Sequence, residues 1–442
     1  MKDGSMTPYV DQLVEAFLQE RASQAVFEQL FAISSCDPKQ ISVFVIAFME
    51  RISEGSTVLG TAFGLLAMEN WDEVIQAAMK HLRSNPAHEG AADAIAYASL
   101  QCPDKLSSYV EELFRLQPNE NAYYSAWFCR AAHEKDIEQW IHTLHDAEVN
   151  DPAFGHSLNA LLEARTEPAL RAVIERIERL HRDGSQAEAV RYPLDLLLEE
   201  AGYRLAEGEL EQLHGNMPYH LVFRPEDFTA ERPVWFAREQ HPTWGLSPAT
   251  PAADDRNETA MFGGRLAAPC SVCGQPIHRL LTLERIPDGV LIASLSRITL
   301  GVCLSCLGWE EGELFCVHDE QGEPYPHPSA AGTEPQEPQF PAEALRDAMI
   351  KLVPASGRWQ TQDWALSNSR ENLNRLGGMP SWIQGADYLH CPHCSEKMAF
   401  IAQLDSDLPT SDGEEWMWGS GGIAYMFWCD GCRVSGYRWQ CT

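Results

Sequence analysis

Two sets of paired Cys-x-x-Cys knuckles constrain this 442-residue chain more than any other feature. Cys391/Cys394 and Cys429/Cys432 bracket an apolar, β-rich segment near the C-terminus, and Cys270/Cys273 and Cys303/Cys306 bracket another upstream. Two sulfurs at that spacing sit on one tight turn and point at one ion. A second turn, brought alongside by a strand pair, completes a tetrahedral four-thiolate site. The spacing therefore predicts two structural zinc centres: Cys270, Cys273, Cys303 and Cys306, and Cys391, Cys394, Cys429 and Cys432. Four thiolates leave no coordination position for water or substrate. A redox dithiol would need an electropositive helix N-terminus to lower its pKa, and these pairs lie beside strand-like runs. Spacing alone leaves open whether the knuckles pair within or across the two sets.

The surroundings repeat. Phe262-Gly263-Gly264 precedes Cys270/Cys273, then come the apolar runs Leu280–Leu283 and Ile298–Leu300 before Cys303/Cys306. Leu376-Gly377-Gly378 precedes Cys391/Cys394, then come Phe400–Leu404 and Tyr425–Trp428 before Cys429/Cys432. Chance supplies a Gly-Gly easily, but not knuckle, strand, strand, knuckle twice, so the pattern reads as an internal duplication. His241-Pro242-Thr243-Trp244 echoes Met379-Pro380-Ser381-Trp382 in a different order relative to the Gly-Gly.

Residues 7–202 read differently. Val10, Leu13, Val14, Phe17 and Leu18 form a stripe at helical spacing, and further helix starts fall near Ser23, Pro38, Ser56, Asp72, Glu89, Asp104, Asn119, Asp136, Pro152, Glu167 and Gln186. Helices in series with short links predict a HEAT-like or irregular solenoid. The expected fold is thus α+β and multidomain: a helical repeat-like domain at 7–202, a first β-rich zinc-ribbon-like half with its Pro-rich connection at 216–340, and a second at 341–442. Tyr219–Phe223 and Pro233–Phe236 read as strands, 319–340 as an exposed connection, and 342–353 as a short helix.

The 33 basic and 64 acidic residues leave a net charge of −31. Such a surface repels nucleic acid and attracts basic proteins, and no basic stripe flanks the knuckles. Direct nucleic-acid binding is therefore not expected. No apolar run reaches membrane-spanning length, no signal pattern opens the chain, and Met6 reads as the natural start. Most of the 13 cysteines fall in the knuckles, which fits metal ligation in a reducing cytoplasm, while Cys36, Cys102, Cys129, Cys316 and Cys441 read as free thiols. Pro269-Cys270-x-x-Cys273 matches half of a zinc deaminase signature, but the H-x-E triplet, His318-Asp319-Glu320, lies on the wrong side of it. His390 and His393 flank the second centre. Asp405–Glu415 reads as an acidic solvated turn lacking calcium-loop spacing. Asn368–Asn374 reads as a polar groove lining with Arg370 and Glu371 paired, and the C-terminal tryptophans read mostly as core. No catalytic signature is present, so the chain is expected not to be an enzyme.

Gly377-Gly378-x-Pro380-x-Trp382-Ile383-Gln384, Cys391-Pro392-x-Cys394, Gln403–Asp407 and Cys429-Asp430-x-Cys432 resemble the YwqG-like family of uncharacterised bacterial proteins over about 376–442. Residues 216–318, with Cys303-Leu-Ser-Cys-Leu-Gly-Trp309, are similar to the preceding part of longer members. The Gly-Gly-x-Pro-x-Trp and Cys-x-x-Cys patterns are more distantly similar to programmed-cell-death-associated proteins that chaperone a ribosomal protein. The family implies a β-rich fold and no particular reaction. The functional expectation is a cytoplasmic, non-catalytic acidic protein that binds a basic partner: an immunity protein against a basic toxin such as a nuclease effector. The alternatives are a chaperone for a basic ribosomal protein and an enzyme of unrecognised type.

Overall fold

The structure is a computed structural model. It describes residues 7–118, 120, 122, 124–183, 193–228, 238, 240–245, 259–307, 313–328, 337–338, 341–366 and 369–441. The chain forms two compact units, Met1–Ala201 and Gly202–Thr442. The predicted strand at Pro233–Phe236 and helix starts at Asn119 and Gln186 lie outside the described residues.

The first unit is helical: α1 (Thr7–Glu20), α2 (Gln24–Cys36), α3 (Gln40–Arg51), α4 (Thr57–Leu65), α5 (Trp71–Ser84), α6 (Glu89–Gln101), α7 (Pro103–Leu106), α8 (Val110–Leu116), α9 (Glu134–Asp146), α10 (Pro152–Ala164), α11 (Glu167–Asp183) and α12 (Leu194–Glu200). Ser23, Ser56 and Asp151 cap α2, α4 and α10 by accepting from Val26, Val58 and Ala153 N–H, each worth about 1 kcal/mol. Helix α5 buries Trp71, Val74, Ile75, Ala78, Met79 and Leu82, one stripe at the 3.6-residue period. In α1, Val10, Leu13, Val14 and Phe17 are buried but Leu18 is exposed. Packing runs along the series, α1 on α3, α3 on α5, α5 on α6, α9 on α10 and α10 on α11.

The second unit opens with a hairpin, β1 (Tyr203–Ala206) and β2 (Glu209–Gln212), and ends in a twelve-stranded antiparallel sheet. Its strands are β3 (Tyr219–Val222), β4 (Thr259–Phe262), β5 (Arg265–Pro269), β6 (Pro276–Leu283), β7 (Ile298–Val302), β8 (Leu314–His318), β9 (Pro324–Pro326), β10 (Ala348–Pro354), β11 (Arg375–Leu376), β12 (Ala399–Asp405), β15 (Ile423–Cys429) and β16 (Val434–Gln440); β13 (Leu408–Pro409) and β14 (Glu415–Trp416) pair separately. A one-turn helix, α13 (Leu304–Leu307), follows β7.

Strand pairing runs β7–β6–β4–β10–β3–β11–β12–β15–β16–β8–β9, with β5 also on β6. The order is palindromic about β10 and β3. Leu281 pairs with Phe262 on one side and Leu300 on the other; Ala402 pairs with Leu376 and Met426 in the same way. Each of β6 and β12 carries a bulge just before that residue, at Leu280 and Ile401, the same number of residues past the first cysteine of its set. Each repeat, however, gives its first strand to the other: β10 pairs with β4, and β3 pairs with β11. The boundary drawn at 340/341 therefore runs through one sheet.

The sheet is a nearly closed barrel. Across its seam Thr299 N–H donates to Gly322 O at 2.9 Å. A buried side-chain run completes the closure: Gly301 N–H donates to the Tyr437 hydroxyl (3.0 Å), which lies 2.8 Å from Ser435 Oγ, itself 2.8 Å from His318 Nε2; His318 Nδ1 lies 3.2 Å from Gly322 O. Strand β15 sends Ala424, Met426 and Trp428 to one core and Ile423, Tyr425 and Phe427 to a second on the other face, the period-2 signature of a strand buried on both sides.

Three expectations are corrected. Residues 348–354 form a strand, not a helix: Ile350 and Leu352 alternate with exposed neighbours, and both strand edges find partners. The exposed connection from 319 contains β9, paired antiparallel to β8. Asn372 and Asn374 are buried instead of lining a groove, because Asn372 Nδ2 donates to Leu221 O and its Oδ1 receives Asn374 N–H, and Glu371 pairs with Arg358; Asn368 lies outside the described residues.

Candidate metal centres

Both cysteine sets assemble within, not across, the repeats. In each, four Sγ atoms lie within 4.8 Å of one another, and each set could hold a metal ion. Cys270 to Cys306 is 3.8 Å, Cys273 to Cys303 is 3.7 Å and Cys394 to Cys429 is 3.7 Å. These separations are far beyond a disulfide's roughly 2 Å bond.

The local folding is readable. Cys270 directly follows β5 and opens a turn in which Gly274 N–H donates to Cys270 O, and Cys270 N–H to Gln275 O. Cys391 opens the same turn, with Ser395 N–H to Cys391 O and Cys391 N–H to Glu396 O. Gly274 and Ser395 occupy equivalent left-handed positions, φ +71° and +61°. The antiparallel β6/β7 and β12/β15 pairs then return Cys303 and Cys429 beside the first knuckle.

The four thiols of the first set constrain one another's ionisation. With the sulfurs this close, Cys270 is held down at about 2 by hydrogen bonds from Cys303 and Cys306, while the same contacts push Cys303 up to about 12 and Cys306 higher still. Four thiols that cannot all ionise together do so around a divalent ion, whose charge offsets their repulsion.

Supporting contacts differ between the centres. At the first, His278 is buried, its Nδ1 accepting from Leu304 N–H (3.1 Å) with Nε2 3.3 Å from Ala342 O; burial holds its pKa down at about 4. At the second, Asp430 inside the knuckle accepts from Ala293 and Ser294 N–H and from the Trp428 indole, tying the centre to the β6–β7 connection of the other repeat. Neither residue stands out in sequence; only the Asp within Cys-Asp-Gly-Cys offered a hint. His390 and His393 are exposed and belong to neither four-sulfur group, and His390 Nδ1 lies 2.9 Å from Ser395 O. His318 lies in the barrel seam. Of the acidic segment, Asp405 is buried and Asp407 pairs at 2.9 Å with the buried Arg238, which leaves Asp412 and Glu414 at the exposed tip. Trp382, Trp418 and Trp428 are core, whereas Trp416 and Trp439 are partly exposed. Of the remaining thiols, Cys102, Cys129 and Cys316 are buried, Cys36 is exposed and Cys441 is intermediate.

No family model matches the chain, and no solved structure matches it. A stretch of 71 residues is 38% identical to the uncharacterized protein YpfL of Salmonella typhimurium strain LT2, covering 16% of this chain and 15% of that protein. Among the described residues, no helix is long and apolar enough to cross a membrane.

Proposed function

We propose that this chain is a non-catalytic, zinc-stapled protein that binds a basic partner, most concretely an immunity protein that covers the cationic cleft of a toxin such as a nuclease effector. The observation that carries the reading is the net charge of −31. A nuclease must present positive charge to phosphate, and an acidic protein meets that surface with fast, steered association. Exposed carboxylates stud both units, among them Glu73 on α5, Glu138 on α9, Glu178 on α11 and Asp412 and Glu414 at the β13–β14 turn.

Zinc is the ion that the cages suit. A Zn–S bond of about 2.3 Å at tetrahedral angles sets the sulfurs about 3.8 Å apart, beside 3.7–3.8 Å for the close pairs here. Ions so enclosed would staple the barrel, with Cys270, Cys273, Cys303 and Cys306 holding one and Cys391, Cys394, Cys429 and Cys432 the other; they leave no position for substrate.

The test is affinity capture at low salt with mass spectrometry, followed by binding kinetics with the purified partner. The expected partner is a basic secreted nuclease, with an association rate that falls at least about tenfold from low to high salt. Capture of a basic ribosomal protein would transfer the reading to a chaperone, which the Gly-Gly-x-Pro-x-Trp resemblance favours. No partner at either salt concentration would refute both.

A further inference from the structure

The two centres have the same close sulfur spacing and unequal cover. Cys270 to Cys306 and Cys273 to Cys303 are 3.8 and 3.7 Å, and Cys394 to Cys429 is 3.7 Å. Cys270, Cys273 and Cys303 are buried and Cys306 is partly so. At the second centre only Cys391 is buried, Cys429 and Cys432 are partly open, and Cys394 is exposed. Both sets are framed by bulged antiparallel strand pairs, so the contrast comes from what lies over the cages.

That contrast has a chemical consequence. A metal-bound cysteine is a thiolate, the nucleophilic form of the side chain, so its attack on a dissolved oxidant depends on access. Oxidation follows thiolate character and exposure, and it proceeds to a disulfide where a second sulfur stands close. Cys394 meets both conditions: it is exposed, and Cys429 Sγ is 3.7 Å away. The first centre has equally close pairs but no exposed sulfur. Spacing alone therefore does not separate the two; cover does.

We propose that the second centre is an oxidation site, at which hydrogen peroxide joins Cys394 to Cys429 and opens the cage; this rests on the four-thiolate reading above. The Cys394 thiolate attacks one peroxide oxygen: an S–O bond forms, the O–O bond breaks and hydroxide leaves. The Cys429 thiolate then attacks the Cys394 sulfur: an S–S bond forms, the S–O bond breaks and a second hydroxide leaves. Two electrons pass from the pair of sulfurs to the peroxide, and each hydroxide takes a proton from solvent. Bond formation draws the sulfurs together to about 2 Å. Cys391 and Cys432 are left as two thiolates where four held the ion, and the ion is released. The change reaches the other repeat, because Asp430, next to Cys429, accepts from Ala293 and Ser294 N–H. Moving Cys429 loosens that tie.

The test treats the full chain carrying two zinc ions with hydrogen peroxide. Release is followed with 4-(2-pyridylazo)resorcinol, and cysteines are mapped by alkylation and mass spectrometry. One ion is expected to leave at least about tenfold faster than the other. At that point Cys394 and Cys429 form a disulfide, while Cys270, Cys273, Cys303 and Cys306 remain reduced. Hydrogen exchange at Ala293 and Ser294 rises on oxidation and falls back after dithiothreitol and zinc are added. Equal release from both centres, faster release from the first, a disulfide that does not join Cys394 to Cys429, or unchanged exchange at Ala293 and Ser294 each overturns the proposal while leaving the four-thiolate reading intact. A purified chain that takes up no ion overturns both.

Discussion

Replacing Gly263 or Gly377 with alanine tests the swapped duplication directly. Both glycines are left-handed, φ +78° and +66°. A Cβ at Gly263 would lie 2.1 Å from Arg346 O, just before β10, and one at Gly377 would lie 2.4 Å from Met217 O, just before β3. Each Gly-Gly turn thus presses on the backbone that leads into the strand donated by the other repeat. The left-handed conformation costs a residue with a Cβ about 1–2 kcal/mol. Relieving the clash requires moving a backbone carbonyl by more than half an ångström, and overpacking of that kind adds about 1–3 kcal/mol. Each variant is therefore expected to lose about 2–5 kcal/mol. Gly431→Ala, where a Cβ meets nothing within 4 Å, is the control, expected within about 0.5 kcal/mol. Urea denaturation of the metal-loaded chain, followed by tryptophan fluorescence, reads the difference, since most tryptophans lie after residue 202. Losses below about 1 kcal/mol at both glycines would refute the close approach and the strand exchange that produces it.

Three further outcomes follow from particular groups. Asp430→Ala removes a carboxylate that three N–H groups share; a loss of about 2 kcal/mol and faster hydrogen exchange at Ala293 and Ser294 are expected, and unchanged protection there would contradict the tie. Burial is the chief cause holding the Asp93 carboxyl up at about 6, with Glu89 adding to it and a hydrogen bond to Tyr124 opposing. A raised folded pKa gives stability that is full below the unfolded value near 4 and lost as pH rises through about 6, on the order of 3 kcal/mol; Asp93→Asn should flatten that dependence in the unfolding midpoint of α6. His318 works oppositely: burial holds it near 4, so its contribution is full above about 6.5 and lost as pH falls towards 4. Hydrogen exchange at Thr299 and Gly301 should rise over that window, and a flat profile would count against the seam network.

The sequence by itself determined whatever depends on near neighbours. Helix stripes and caps such as Ser23, Ser56 and Asp151 are local, because a helix closes its hydrogen bonds within four residues. The knuckles are local too: Cys270 and Cys391 need only a tight turn and one residue at positive φ. Even the duplication was legible, since Gly-Gly, strand, strand and knuckle recur in order. Tertiary structure decided which edges met. Residues 348–354 carry too short an apolar pattern to separate strand from helix, and they became a strand because β3 and β4 both offered unpaired edges. That same demand exchanged the first strands between repeats and fused two expected halves into one barrel. Burial of Asp405, Asn372 and Asn374 was equally invisible, since polar residues enter a core only where distant partners satisfy them. So was the unequal cover over the two centres: the same Cys-x-x-Cys knuckles form each cage, but what lies above it is set by segments far away in the chain.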